Sequence, residues 1–263
     1  MKLGFIGSGN MAKAMIKGII ASGIVQAGDI TAADSKADAL GELVALGVRT
    51  TPDNLTAAAN AIVFLSVKPQ VYPQVIAEIK EAITPATVIV TIAPGWTLEK
   101  LRSAFGKDVK IIRAMPNTPA MSGEGMSAVC PNDAVSGAEL QFVSSLFSSF
   151  GKCETVPEKL MDVAGAVSGS SPAFVFMFIE ALADGAIAEG MPREQAYKFA
   201  AQAVLGSAKM VLESGKHPGT LKDMVCSPGG TTIEGVQTLE SGAFRGTVMK
   251  AVRSCVEKSQ HLA

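Results

Sequence analysis

The chain has 263 residues, enough for one large or two modest domains with a sizeable core. Its formal net charge is −1 and no basic run occurs, which argues against nucleic acid or an anionic membrane surface as a partner. Because 48% of the residues are apolar and only 18% are charged, we expect extra apolar surface to be buried against further copies of the chain.

The longest apolar run, Pro172–Ile179, ends at Glu180, whereas a membrane span needs about 20 apolar residues. Residues 1–11 lack the long apolar core of a secretory signal. We therefore expect a cytoplasmic protein with no membrane span. The chain has only two histidines and no C-x-x-C pattern, so we predict reduced thiols and no metal site.

Short apolar runs alternate with helical spacing through the first half of the chain. Residues 61–67 form a continuous apolar run, as expected for a strand of a parallel sheet that is covered on both faces. This alternation predicts an α/β domain with a Rossmann-type doubly wound parallel sheet. The predicted strands are 3–6, 30–33, 48–50, 61–67, 87–92 and 110–114, and the predicted helices are 10–22, 36–46 and 70–83.

From about residue 158 onward, helical periods replace the strand signals. The predicted helices are 172–189, 193–214, 229–239 and 244–261. We place the domain boundary so that residues 1–157 form a dinucleotide-binding Rossmann domain and residues 158–263 form an all-helical dimerisation and substrate domain. The helix over 172–189 is apolar almost all round, which predicts burial against a partner subunit and an obligate homodimer.

The segment Gly7-Ser-Gly-Asn-Met-Ala12 has the pattern G-x-G-x-x-A and stands between the first predicted strand and the first predicted helix. Gly7 allows the sharp turn, and Gly9 lets a pyrophosphate approach the backbone. Ala12 permits close packing of the helix on the strand. We predict dinucleotide binding here rather than a purely structural turn.

The choice between NAD and NADP depends on the end of the second strand. Asp34 there would accept the ribose 2′-OH of NAD. Ser35 and Lys36 follow directly and would instead meet the 2′-phosphate of NADP. A third interpretation makes Asp34 the N-cap of the next helix.

Three loops at the ends of predicted strands, residues 66–70, 91–95 and 113–119, contain Pro, Gly or polar residues. In a parallel sheet such ends form the crevice where ligands bind. The third loop is stiffened by two prolines, and its Asn117 is expected to support the nicotinamide amide. Lys68 is interpreted as a hydrogen-bond donor to a phosphate or a group near the hydride path, or equally as a solvated loop lysine. The predicted cofactor residues in these loops are Lys68, Pro69, Gly95, Met115 and Asn117.

Late in the chain, residues 225–235 have the sequence VCSPGGTTIEG, which predicts a turn that leads straight into a helix. Small residues, two hydroxyls and free backbone N–H groups at a helix start suit an anion. The alternative is a helix start capped by Ser227 or Thr231. Cys226 is interpreted as a small buried apolar residue, because a catalytic thiol needs a base and only His217 is near in sequence.

Five segments, 4–11, 66–69, 113–119, 168–174 and 227–232, occur in an order that closely resembles the pyrroline-5-carboxylate reductases. The most specific part is residues 217–232, HPGTLKDMVCSPGGTT. Ser171 and Pro94 depart mildly from the pattern, since many members have Gly and Ala there.

The resemblance implies reduction of the cyclic imine 1-pyrroline-5-carboxylate to L-proline, the last step of proline biosynthesis, with NADPH or alternatively NADH. It also implies a Rossmann domain followed by an all-helical domain through which two subunits interlock, and dimers that assemble further into decamers. The cofactor contacts carried over by position are Gly7, Ser8, Gly9, Asn10, Met11, Asp34, Ser35, Asn54, Val67, Lys68 and Ala93.

The resemblance places the substrate contacts on Glu158, Thr231 and Thr232. Our hypothesis is that the start of the late helix, with Ser227 and the N–H groups of Gly229, Gly230 and Thr231, binds the substrate carboxylate. Thr232 is then the candidate catalytic residue near the ring nitrogen, and Glu158 offsets the positive charge of the iminium.

Two alternative functions are weighed against this one. β-Hydroxyacid dehydrogenases share the domain plan but place a catalytic lysine in a helix of the second domain, and no lysine occurs between Lys159 and Lys198. A non-catalytic nucleotide-sensing protein would use the Rossmann domain without turnover, which leaves the second anion site unexplained.

Overall fold

The computed structural model describes residues 1–261, and these divide into two compact units. The first unit comprises residues 1–169 and the segment from Cys255 onward, and the second comprises residues 170–254. The first unit extends beyond residue 157 because Met161 is fully buried in it and Ser259 Oγ donates to Asp162 Oδ1 at 3.0 Å. We retain residue 157 as the proposed boundary in sequence, since helices replace strands there.

Eight strands form one sheet in the first unit: β1 Leu3–Ile6, β2 Ile30–Ala33, β3 Arg49–Thr51, β4 Ile62–Leu65, β5 Val88–Thr91, β6 Lys110–Met115, β7 Gly125–Pro131 and β8 Gly151–Thr155. Their spatial order is β3-β2-β1-β4-β5-β6-β7-β8. The first six strands run parallel, β7 runs antiparallel to β6, and β8 runs parallel to β7. The order of the first six strands is that of the Rossmann fold, so the predicted fold class is confirmed.

Helices cover both faces of this sheet: α1 Asn10–Ala21, α2 Ala37–Ala45, α3 Asn54–Ala58, α4 Tyr72–Ile79, α5 Leu98–Phe105, α6 Gly137–Ser148 and α7 Met161–Ala164. Successive strand side chains point to opposite faces, so a continuous apolar strand contributes to both cores. In β4, Phe64 stacks on Phe5 in the core that includes α1 and α6, whereas Val63 and Leu65 pack in the core that includes α4 and α5.

The second unit contains helices only, as predicted: α8 Ser171–Ala188, α9 Arg193–Ser214, α10 Pro218–Val225, α11 Thr231–Ser241 and α12 Phe244–Gln260, whose last residues belong to the first unit. Its own core is small and consists of the buried alanines Ala183, Ala196 and Ala200 with their neighbours. Large apolar side chains therefore stay exposed in the single chain.

The helical segment that ends at Ala188 is longer than the apolar run Pro172–Ile179 suggests. A π-helical turn at Gly165–Ser170 joins α7 to α8, and the resulting helical segment Glu158–Ala188 has 31 residues. By length and composition alone it is sufficient to cross a membrane, and only 6% of its most apolar part is buried. The expectation that no segment is long and apolar enough to span a membrane is therefore wrong.

Several elements lie outside the predicted set, namely α3, α5, β7, α6, β8, α7 and α10. The helix predicted over 70–83 begins as a 3-10 turn at Pro69–Val71 and ends at Ile79. The helix predicted over 229–239 begins later, at Thr231, because Gly229 adopts a left-handed conformation with φ of +67° in the preceding turn.

Candidate active site

The residues predicted to bind the cofactor follow the carboxyl ends of strands β1 to β6. Because these strands are parallel, those ends lie at one edge of the sheet, where Rossmann domains bind their ligands. The residues are Gly7 to Met11 after β1, Asp34 and Ser35 after β2, Asn54 after β3, Val67 to Pro69 after β4, Ala93 and Gly95 after β5, and Met115 and Asn117 at or after the end of β6.

The loop after β1 has one glycine fixed by the fold and another that faces open space. Gly7 has a φ of +95°, and a Cβ there would lie 2.8 Å from the carbonyl carbon and oxygen of Ser66. At Gly9 a Cβ would meet nothing within 4 Å. Gly9 is also the N-cap of α1, and no side chain caps this helix start. The first-turn N–H groups of α1 are therefore available to a phosphate group.

Asp34 joins the end of β2 to the glycine-rich loop. Its Oδ2 accepts a hydrogen bond from Ser8 N at 2.8 Å, and its Oδ1 accepts one from Lys36 N at 2.9 Å. Helix α2 starts at Ala37 with Lys36 as its N-cap residue, so the interpretation of Asp34 as that N-cap is wrong. Ser8 Oγ is buried and has no partner among residues 1–261, which suits a residue that faces a ligand.

The other predicted cofactor residues differ in whether their side chains already have partners within the chain. Asn54 Nδ2 donates to Glu78 Oε2 at 2.8 Å. Lys68 is exposed and has no ion-pair partner within the part of the chain that the structure describes. This exposure leaves the Lys68 ammonium group accessible to a phosphate.

Tyr72 is a structural residue of this edge that the sequence did not single out. Its hydroxyl donates to Leu65 O at 2.6 Å and lies 2.9 Å from Thr91 Oγ1, so it connects the ends of β4 and β5. Its ring packs on Trp96, with 5.1 Å between ring centroids. Burial raises the pKa of Tyr72 to about 12, so the hydroxyl stays protonated.

The Asn117 side chain is held by the backbone at both ends. Its Nδ2 donates to Ser168 O at 2.9 Å, and its Oδ1 accepts from Met126 N at 2.8 Å. Asn117 therefore attaches the π-helical turn at Gly165–Ser170 to the loop after β6. This structural use competes with the expected role of its amide as a shelf for the nicotinamide.

Glu158 belongs to a charge cluster around the buried Arg113. The Arg113 side chain is only 2% exposed, with Nη1 3.4 Å from Glu158 Oε1 and Nη2 3.0 Å from Asp162 Oδ1. Leu98 N donates to the same Glu158 Oε1 at 2.7 Å. Arg113 and Asp162 are members of this site that the sequence did not single out. The one available signal was the spacing of four between the two carboxylates, which is typical of neighbours on a helix. In the structure Glu158 begins a 3-10 turn and Asp162 lies in α7.

In the second unit, the start of α11 is open. Gly230 N donates to Ser227 O at 3.0 Å in the turn, and Gly230 is the N-cap of α11. No side chain caps this start, so the alternative in which Ser227 or Thr231 caps the helix is wrong. Both Thr231 and Thr232 are exposed. The arrangement offers first-turn N–H groups and two hydroxyls to a small anion.

Cys226 is half-buried in the single chain, which corrects the expectation that it is buried. His217 is not its base, because His217 Nδ1 accepts a hydrogen bond from Gly219 N at 3.1 Å and caps α10. All four cysteines are free thiols. Within residues 1–261, no group of three or more His, Cys, Asp and Glu side chains could hold a metal ion.

Two family models match the chain. Residues 158–262 match the model described as pyrroline-5-carboxylate reductase dimerisation. Residues 2–95 match the model described as NADP oxidoreductase coenzyme F420-dependent. The two matches fall on the helical part and on the glycine-rich Rossmann part of the chain.

Known relatives cover the full length of the chain. It is 50% identical to pyrroline-5-carboxylate reductase of Escherichia coli (strain K12), over 100% of this chain and 98% of that one. The identity to the Pisum sativum pyrroline-5-carboxylate reductase is 42%, over 99% and 96% of the two chains.

Solved structures agree with the sequence relatives. A pyrroline-5-carboxylate reductase from Coxiella burnetii superimposes with a TM-score of 0.93 at 34% identity, covering 98% of this chain and 97% of that one. A Plasmodium falciparum pyrroline carboxylate reductase with NADP bound gives a TM-score of 0.89 at 33% identity, covering 99% and 97%. The chain therefore belongs to the pyrroline-5-carboxylate reductase family.

Proposed function

We propose that this chain reduces the cyclic imine 1-pyrroline-5-carboxylate to L-proline with NADPH, the last step of proline biosynthesis. The observation that carries the proposal is a pair of helix starts. Helix α1 in the first unit and α11 in the second each begin after a glycine and have no side-chain cap. One open start suits the pyrophosphate of a dinucleotide, and the other suits the carboxylate of a small acid.

The cofactor is held at the carboxyl edge of the sheet. The open space at Gly9 and the uncapped start of α1 fit a pyrophosphate, and Ser35 and Lys36 are exposed at the end of β2, where a 2′-phosphate would lie. Bound NADPH supplies a hydride from its reduced nicotinamide. The contacts proposed for it are Gly7, Ser8, Gly9, Asn10, Met11, Asp34, Ser35, Asn54, Val67, Lys68, Pro69, Ala93, Gly95, Met115 and Asn117.

The substrate needs a site for one negative and one positive group. Backbone N–H groups at Gly229 and Thr231 bind its carboxylate, assisted by the dipole of α11. The Gly230 N–H, which we expected to take part, already donates to Ser227 O at 3.0 Å. The imine carbon accepts hydride far more readily when the ring nitrogen is protonated, so the bound substrate carries an iminium. The Thr232 hydroxyl hydrogen-bonds near that nitrogen, and Glu158 offsets the positive charge.

Positioning the imine carbon against the nicotinamide supplies most of the rate acceleration in this reaction. One imine, one hydride and one proton yield one amine, and no covalent intermediate on the protein is needed. Holding the reactants in a productive geometry is worth about 7–11 kcal/mol of the barrier. The absence of lysine between Lys159 and Lys198 weighs against the dehydrogenase alternative, whose catalytic lysine would stand in that stretch.

The test is the substitution Thr232→Ala, assayed by the NADPH absorbance in the presence of 1-pyrroline-5-carboxylate. We expect kcat/KM for the imine to fall by at least about tenfold, because a hydrogen bond to the reacting group is lost, with the Kd for NADPH unchanged. Cys226→Ser is the matched control, since it alters a neighbouring side chain and should retain full activity. Unchanged turnover in Thr232→Ala would remove Thr232 from the mechanism.

The family model for dimerisation covers the helices whose apolar side chains are exposed in the single chain. We propose that a second copy, rather than a membrane, covers the apolar segment Glu158–Ala188. We further propose that dimers assemble into a decamer and that the protein is cytoplasmic.

A further inference from the structure

We propose that Arg113 is a positioning residue, which anchors one oxygen of the Glu158 carboxylate and so leaves the other oxygen for the substrate. The inference rests on the proposed function, in which Glu158 contacts the iminium. It assigns a task to a buried arginine that touches neither ligand in the proposed site.

Arg113 contacts two carboxylates, each through a different nitrogen of its guanidinium. It stands on β6 opposite Cys130 of β7, and its guanidinium reaches Glu158 through Nη1 and Asp162 through Nη2. Glu158 begins a 3-10 turn, Glu158–Leu160, and Asp162 lies in α7 directly after it. The two contacts come from different nitrogens of one planar guanidinium, so they set the two carboxylates at a defined separation, which a single ammonium group does less well.

Both hydrogen bonds to Glu158 converge on one oxygen. Oε1 accepts from Arg113 Nη1 and from Leu98 N, the first N–H of α5, which has no partner inside its own helix. Oε2 accepts no hydrogen bond from residues 1–261, and the Glu158 side chain is 35% exposed. The carboxylate is therefore fixed at one oxygen and open at the other.

Glu158 lies at the edge of the sheet that binds the cofactor. Its partner Leu98 opens α5 just after the loop that follows β5, so the carboxylate lies beyond the carboxyl ends of the parallel strands. The charges of the cluster also suit a cation, because two carboxylates surround one guanidinium. Asp162 offsets much of the Arg113 charge, so the free oxygen of Glu158 still presents negative charge to an iminium.

The chemistry determines which kinetic constant should respond. Hydride transfer discharges the iminium, so a nearby carboxylate stabilises the bound substrate at least as strongly as it stabilises the transition state. Loss of that interaction should raise KM for the imine and leave kcat nearly unchanged. A general loss of structure would instead lower kcat and the fraction of active enzyme.

The experiment is a double-mutant cycle with Arg113→Lys and Glu158→Gln in the full chain, with NADPH and 1-pyrroline-5-carboxylate. We expect Arg113→Lys to raise KM for the imine about tenfold, the effect of one charge-assisted hydrogen bond, with kcat and the Kd for NADPH within about twofold of wild type. In the Glu158→Gln background the same substitution should have no further effect on KM, because its target is already removed.

A second variant tests the anchoring of the same carboxylate if Arg113→Lys fails to fold. Leu98→Pro removes the other donor to Oε1 at the first helical position, where proline is favoured. It should raise KM for the imine several-fold, again only while Glu158 is present. Ser259→Ala is the matched control, since it removes the hydrogen bond to Asp162 without touching Glu158, and its KM should equal that of wild type.

Equal effects of Arg113→Lys with and without Glu158, or an unchanged KM in Arg113→Lys, would overturn the positioning role. That outcome differs from failure of the proposed function, which would show as a wild-type chain that does not oxidise NADPH with this imine.

Discussion

Gly7 and Gly9 belong to the same loop but have opposite surroundings. Gly7 has a φ of +95°, and a Cβ there would overlap the Ser66 backbone, whereas Gly9 has an extended backbone with φ of −70° and ψ of −179° and a Cβ there would meet open space. Gly7 is therefore fixed by folding and Gly9 is left for the ligand.

Alanine at the two positions should separate stability from cofactor binding. We expect Gly7→Ala to lower the free energy of unfolding by about 3 kcal/mol, from strain and overlap with Ser66. Gly9→Ala should stay within about 1 kcal/mol of wild type yet weaken NADPH binding at least tenfold, because its methyl group would occupy the space for the pyrophosphate. Urea unfolding and fluorescence titration with NADPH measure the two effects, and normal NADPH affinity in Gly9→Ala would contradict the assigned site.

Tyr72 should make the fold sensitive to alkaline pH. Its pKa is raised to about 12 in the folded chain by burial, against about 10 when unfolded. Its stabilising contribution is therefore complete below pH of about 10 and is lost as the pH rises towards 12, because the unfolded chain gives up its proton first. The expected loss is roughly 1.4 kcal/mol per pH unit over that interval.

The control is Tyr72→Phe, compared with wild type by urea unfolding at about pH 8 and at about pH 11. The variant should be less stable at the lower pH, where it lacks the hydrogen bonds to Leu65 and Thr91, but should lose less stability between the two values. An equal loss in both proteins would show that Tyr72 does not control the alkaline response.

At the scale of elements, the start of α11 can be tested without breaking the helix. Thr231 is the first helical residue, where proline is favoured but removes the N–H group. We expect Thr231→Pro to raise KM for the imine about tenfold relative to Thr231→Ala, since one hydrogen bond to the carboxylate is lost. Circular dichroism should be the same for both variants. Equal KM values would exclude this N–H from substrate binding.

Strands β1, β4 and β5 could be predicted because each is a largely continuous apolar run. Strand β8 has no such run, since Glu154 and Thr155 are exposed, and periodicity therefore carried no signal for it. Helix α6 did have a usable signal, because Ser136 and Glu139 form a capping box in the structure.

The glycine-rich loop could be predicted because its pattern is local and lies between a strand and a helix. The cluster around Arg113 could not be predicted in this way. Its acidic partners stand 45 and 49 residues further along the chain, and only the folded sheet brings them together. The structural use of Asn117 was hidden for the same reason, since its partner Ser168 is 51 residues away.

At the scale of the whole molecule, the exposed apolar surface of the second unit needs a partner. Phe176 and Met177 on α8 are 62% and 68% exposed. Next to them an apolar groove of about 470 Å³ is lined by residues such as Phe174, Phe178, Leu239 and Phe244. Its size and composition fit side chains of a second copy, in keeping with the matched dimerisation model.

A charge in this surface should separate the subunits. We expect Met177→Glu to sediment as a monomer in analytical ultracentrifugation, because a carboxylate buried in an apolar interface loses its hydration. Val44→Glu is the control, since Val44 is 57% exposed on α2 of the first unit, and it should sediment like wild type. A Met177→Glu protein that still sediments with wild type would place the interface elsewhere.

The account depends most on the claim that the start of α11 binds the acid group of the substrate. The most direct measurement is a crystal structure of the protein with NADP⁺ and L-proline bound. We predict that the proline carboxylate accepts hydrogen bonds from the backbone N–H groups of Gly229 and Thr231, with its ring nitrogen beside the Thr232 hydroxyl. A carboxylate bound elsewhere, with those N–H groups facing only water, would contradict the account.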